Sequence, residues 1–88
     1  LGADFESIDA KTAAQLQIEG GVRVTSIYGG ALRKYTNMRP GFIITHVENT
    51  PVTSVDELRE VLEDRSGGIL VKGIYENMPG RFSYAFGL

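Results

Sequence analysis

The longest patterned stretch of the chain runs from Met38 to Leu62 and changes period halfway along. Pro40-Gly41 is turn chemistry, and Phe42, Ile43, Ile44 and Val47 then make an apolar run of strand length. Asn49-Thr50-Pro51 breaks that strand, because proline has no amide to donate and restricts the residue before it. From Ser54 onward the spacing becomes helical. Val55, Leu58, Val61 and Leu62 share one side, and Asp56, Glu60, Glu63 and Asp64 take the others. Ser54-x-x-Glu57 predicts a capping box, with the hydroxyl accepting from the Glu57 amide and the carboxylate returning to the Ser54 amide. Asp56 and Glu57 sit in the first turn, where the helix dipole favours negative charge.

The flanking segments are shorter. Ala3 to Glu6 alternates apolar and acidic residues, as a half-buried strand does. Asp9 predicts the cap of a helix from Ala10 to about Gln17, with Ala10, Ala13 and Ala14 as its inner stripe and Gly20-Gly21 as its stop. Val22 to Tyr28 is a second strand whose apolar phase slips between Val24 and Ile27, which predicts a bulge or bend. Gly29-Gly30 leads into a helical turn over Ala31 to Tyr35. After Gly67-Gly68, Ile69 to Tyr75 reads as a strand. Glu76 to Gly80 reads as the turn into Phe82-Ser83-Tyr84-Ala85-Phe86, which places three aromatics on one face. The order βαβαβαββ gives an α+β domain of about five strands and two or three short helices. Strands this short and bent predict a small, partly open barrel with helices plugging its ends. Such a barrel leaves an edge exposed, and the first strand and the Ser54 helix would flank a groove there.

Composition narrows the function classes. The 88 residues make one domain, 1–88, with 42% hydrophobic and 23% charged residues. A net charge of -2 gives no long-range attraction to nucleic acid. No apolar run exceeds three residues, too short for a membrane span. Without cysteine there is neither disulfide nor thiolate metal site. Leu1 in first place, with no signal peptide, reads as a piece of a longer protein. The single histidine, His46, falls inside a strand without a second histidine or nucleophile motif, and reads as structural. Neither Gly-x-Gly nor Gly-x-Ser-x-Gly occurs, so no cofactor is expected and the segment reads as non-enzymatic. The acidic residues of the Ser54 helix read as a solvated face rather than a metal or acid/base site.

Met38-Arg39-Pro40-Gly41, Ile44, Val47, Pro51-Val52, Ser54 and Glu57-Leu58, in that register, carry a likeness to a known family. They resemble the Gly-Leu-Arg-Pro-Gly-Asp-x-Ile-x-x-Val-Asn-Gly-x-Pro-Val-x-Ser-x-x-Glu-Leu signature of bacterial PDZ domains in HtrA/Do-type serine proteases. The likeness extends to Leu1-Gly2, to Gly21-Val22 with Val24-Thr25-Ser26, and to the closing hairpin. It departs at Phe42, where the family has Asp, at Glu48-Asn49-Thr50, where it has an Asn-Gly turn, and at Gly30-Ala31-Leu32-Arg33.

The resemblance implies a β-barrel capped by two helices that captures C-terminal or unfolded peptides by strand addition. It implies that the amides of Leu1, Gly2 and Ala3 hold the terminal carboxylate, that Ala3 and Phe5 point into the end pocket, and that Val55, Arg59 and Leu62 line the helix side. Small Ala3 leaves room for Leu, Val or Phe at the peptide terminus. Val55 stands where family members selecting Ser or Thr carry His, so an apolar residue is expected two positions before the terminus. Arg59 is expected to meet an acidic peptide residue or Glu63, its i+4 neighbour. Three settings follow from the resemblance: a peptide-recognition module of a periplasmic quality-control protease, bound to the protease domain of the same parent chain; an assembly module, with the aromatic side chains of the closing Tyr84 to Leu88 and Tyr28 or Tyr35 against another subunit; or a regulatory module of a membrane-embedded or tail-specific protease. Because Tyr84 to Leu88 reads as a natural terminus, the C-terminal PDZ domain of the parent is the one implied.

Overall fold

The computed structural model describes residues 2–88 and shows a small α+β domain. In chain order its elements are β1 (Ala3–Ser7), α1 (Ala10–Gln15), β2 (Val22–Ile27), α2 (Gly30–Tyr35), β3 (Phe42–Val47), β4 (Thr50–Pro51), α3 (Val55–Glu63), β5 (Gly68–Tyr75) and β6 (Met78–Gly87). The six strands form one antiparallel sheet in the order β1-β2-β3-β5-β6, with β4 on β3. The sheet is not closed, so β1 and β6 are its two edges. The extra strand beyond the expected five is β4. Thr50-Pro51 does end β3, but it then folds back and pairs with His46 and Val47.

Three irregularities bend this sheet. Asp4 faces Ser26 and Phe5 faces Val24, so Thr25 is an extra residue in β2, at the place where the apolar phase slips. Thr45 is extra in β3, and its hydroxyl donates to the Lys72 carbonyl at 3.3 Å. The third corrects the expected hairpin. The turn between β5 and β6 is only Glu76-Asn77, since Tyr75 pairs with Met78. Pro79-Gly80 instead lies within β6, where the register shifts between Gly73 and Tyr75. Bulges of this kind increase twist and let short strands wrap a core.

That core is contributed by every strand from β2 to β6 except β4. Val22, Val24, Phe42, Ile44, Val47, Val71 and Phe86 are buried together with Leu32 of α2 and Leu58 of α3. Beside them Phe42 packs edge-on against Tyr84 with ring centres 5.0 Å apart, and Tyr75 against Phe82 at 5.2 Å. The Tyr75 and Tyr84 hydroxyls share a hydrogen bond of 2.7 Å. Burial, then that bond, pushes the Tyr84 phenol up to about 12. Gly73 lets the sheet close over Phe42: a Cβ there would lie 1.9 Å from the Ile43 carbonyl oxygen.

Helix α1 differs from its sequence reading. It ends at Gln15, and only Ala13 of the expected stripe is buried, while Ala10 and Ala14 face solvent. Its stop is not Gly20-Gly21 but Gln17, which takes the left-handed conformation at φ 60°. Around it the Ile18 amide donates to the Ala13 carbonyl at 3.0 Å and the Gln17 amide to the Ala14 carbonyl at 3.2 Å, the paired bonds of a Schellman ending. A side chain in that conformation carries strain of about 1 kcal/mol that glycine lacks. Gln17→Gly should therefore raise unfolding stability by about 1 kcal/mol, read as a higher urea midpoint at unchanged slope.

Candidate functional site

The edge strand β1 is hydrogen-bonded on one side only. The Tyr28 amide donates to the Gly2 carbonyl at 2.9 Å and the Ile8 amide to the Gly21 carbonyl at 3.1 Å. These bonds bracket the strand and fix its phase: Gly2, Asp4, Glu6 and Ile8 direct backbone groups at β2. Ala3, Phe5 and Ser7 therefore aim their amides and carbonyls the other way. The bulge at Thr25 lies in β2, so this alternation along β1 is unbroken. On the open side stands α3. The Ser7 hydroxyl accepts from the Val55 amide at 2.9 Å, fastening the start of the helix to the end of the strand.

Helix α3 is positioned by its cap. Ser54 accepts from the Glu57 amide at 3.1 Å, as the spacing predicts. The Glu57 carboxylate corrects the expectation: it takes the amide of Thr53 at 2.7 Å, together with the Thr53 hydroxyl, rather than the amide of Ser54. The chain enters the helix extended at Ser54, which turns the Thr53 amide toward the first turn. Those bonds hold the Glu57 carboxyl below its ordinary range, the Thr53 hydroxyl contributing most. Leu58 is buried, and Val55, Val61 and Leu62 are half-buried against the core.

The sequence-predicted site residues fall as follows. Leu1 lies outside the described residues. Gly2 is left-handed at φ 78°, and a Cβ there would lie 2.1 Å from the Gly29 carbonyl oxygen, so only glycine fits. Ala3 and Phe5 are half-buried on β1, and Val55 and Leu62 half-buried on α3, all four packed on the same core cluster. Between an unpaired edge and a helix they make an apolar seam. Arg59 is different: exposed, with its guanidinium 3.4 Å from Asp56 rather than beside Glu63. An i,i+3 pair in open solvent contributes little.

Ser7 is the participant that pattern reasoning missed. It reads as a polar residue after a strand, and nothing local shows that its hydroxyl meets a helix 48 positions away. His46 lies elsewhere, with Nδ1 2.9 Å from the Thr45 hydroxyl. It lines a broad, open depression of about 920 Å³ between the end of α1 and the face of β3, β5 and β6. The carboxylates Asp56, Glu60, Glu63 and Asp64 are exposed, and among the described residues no group of three His, Cys, Asp or Glu could hold a metal ion. Among the described residues no helix is long and apolar enough to cross a membrane.

Because its carboxyl is held below the ordinary value of 4.5, Glu57 stabilises the fold at neutral pH and loses that contribution as pH falls through the lowered value. Glu57→Gln should lower stability at pH ~7 and lose most of that difference by pH ~2, measured by urea unfolding at both. No protein-family model matches the chain, and no curated protein matches it either.

Proposed function

We propose that the chain is a PDZ-like recognition module that takes up an extended peptide along β1, beside α3, as an added strand. The observation that carries this reading is the one-sided pairing of β1 next to a half-buried apolar seam. Strand addition needs unpaired backbone groups at alternate residues and side-chain pockets at the same period. Ala3 and Phe5 offer the first, and the seam with Val55 and Leu62 the second. The open, bulged sheet with a helix beside its edge strand is consistent with a small, partly open barrel of PDZ type. The segment acts by binding; its residues do no catalysis in this reading.

The Met38 to Leu58 motif supports placing the module in an HtrA/Do-type serine protease, a periplasmic quality-control enzyme whose own chain would carry the protease domain. The peptide ligand is then a C-terminal or unfolded segment with an apolar end. Its carboxylate meets the Leu1, Gly2 and Ala3 amides. Val55 gives an apolar preference two residues before the terminus, so peptides with Val or Leu there should bind more tightly than those with Ser or Thr.

A second reading has its own observation. Tyr28 and Tyr35 are 63% and 61% exposed, and Leu88 is 48% exposed beyond the second edge strand. Large apolar side chains left in solvent fit subunit contact, so the module would help assemble the protease oligomer. The placement as a regulatory domain of another protease differs in the catalytic domain attached rather than in the groove.

A matched pair of apolar peptides, one with a free C-terminal carboxylate and one amidated, distinguishes groove from assembly surface. Charge-assisted bonds to backbone amides are each worth about 1.5–3 kcal/mol, so amidation should weaken binding by about tenfold to a hundredfold. Shift changes should centre on Gly2, Phe5 and Leu62. Equal affinity of both forms would refute carboxylate capture and leave the assembly reading.

A further inference from the structure

The outward face of β1 says which peptides the groove prefers, an inference that rests on the strand-addition reading above. A strand added to β1 alternates its side chains. One set enters the seam with Ala3 and Phe5, and the other lies on the outer face next to Asp4 and Glu6. Both carboxylates are exposed. Asp4 accepts a hydrogen bond from the Ser26 hydroxyl at 2.9 Å and, among the described residues, meets no cation. Glu6 lies 3.1 Å from Arg23, which is already shared with Glu76. On α3 the cation Arg59 lies 3.4 Å from Asp56. The edge thus presents two carboxylates at every second residue, Asp4 with no cation among the described residues and Glu6 sharing one guanidinium with Glu76, on the side where an incoming strand places its own alternate side chains.

Like charges directly opposite destabilise a cross-strand pair, and opposite charges stabilise it. Pairing of β1 with the β1 of a second copy is opposed for that reason, since each would bring Asp4 and Glu6 against the other's. We infer that the groove selects peptides carrying Lys or Arg at the second and fourth positions from an apolar C-terminus. The register follows from the strand phase. With the terminal residue at the Ala3 amide, the penultimate side chain lies beside Asp4, the third from the end opposite Phe5, and the fourth beside Glu6.

The test uses two free-carboxyl peptides with the same apolar residues, one with Lys and one with Glu at the second and fourth positions from the end. They are titrated at low and at high salt into the natural protein, into Asp4→Asn/Glu6→Gln, and into Glu60→Gln, which removes a carboxylate of α3 outside these two sites. The Lys peptide should bind the natural protein about fivefold more tightly at low salt. That preference should shrink in high salt, survive in Glu60→Gln and vanish in the double variant, whose folding is checked by its thermal melt. Equal binding of the two peptides overturns the charge selection and leaves the groove reading standing. A preference that persists in the double variant also overturns it. Binding of neither peptide overturns the groove reading, and this inference with it.

Discussion

Each residue of a strand carries a donor and an acceptor that point to one side of the strand or the other, and a sheet edge leaves half of them without a strand partner. Along β1 the groups of Asp4 and Glu6 are directed at β2, as are the Gly2 carbonyl and the Ile8 amide that flank it, and those of Ala3, Phe5 and Ser7 are left over. The neighbour on that side is a helix, whose own backbone bonds are satisfied along its length. Helix α3 can bury apolar side chains against the strand but cannot complete its ladder. What sets the two side by side is the Ser7 hydroxyl on the Val55 amide, together with the stripe from Val55 to Leu62.

The energetic weight of such an edge is divided unevenly. Neutral backbone bonds exchanged with water yield about 1 kcal/mol each, while bonds to a carboxylate yield about twice that. A peptide's end would therefore contribute more than any single step along its strand, and its side chains would decide between ligands. Gly2, left-handed and pressed against Gly29, fixes the turn at that end, and Gly73 fixes the closeness of β3 and β5 behind it. The start of the β1 edge and the core behind it are thus set by the same kind of close approach of backbone to backbone.

Much of this was legible in the residues because it depends on local period. The helical stripe of α3, the Ser54 cap, the bulge between Val24 and Ile27 and the inward aromatics of β6 all follow from spacings within a few positions. Where the reading missed, a distant or backbone effect decided. Gly20-Gly21 looked like the stop of α1 because glycine tolerates a left-handed turn, yet Gln17 adopts it with the Ala13 and Ala14 carbonyls as partners. Pro79-Gly80 looked like a turn, but the two-residue Glu76-Asn77 link sets the hairpin, and the proline and glycine are absorbed where β6 departs from β5. For the candidate site, alternation along Ala3 to Glu6 gave the strand and its faces. The Ser7 contact and the pairing of Arg59 with Asp56 depended on tertiary placement and rotamer choice, which no period records.

A ligand strand would use the unpaired groups of β1, and amide hydrogen exchange reads them residue by residue. Exchange is followed with and without a saturating apolar free-carboxyl peptide. The Ala3 and Phe5 amides should slow markedly on binding, while Asp4 and Glu6, already directed at β2, change little. Unchanged exchange at Ala3 and Phe5 under saturating peptide, or slowing confined to residues around Tyr35 and Leu88, would contradict it.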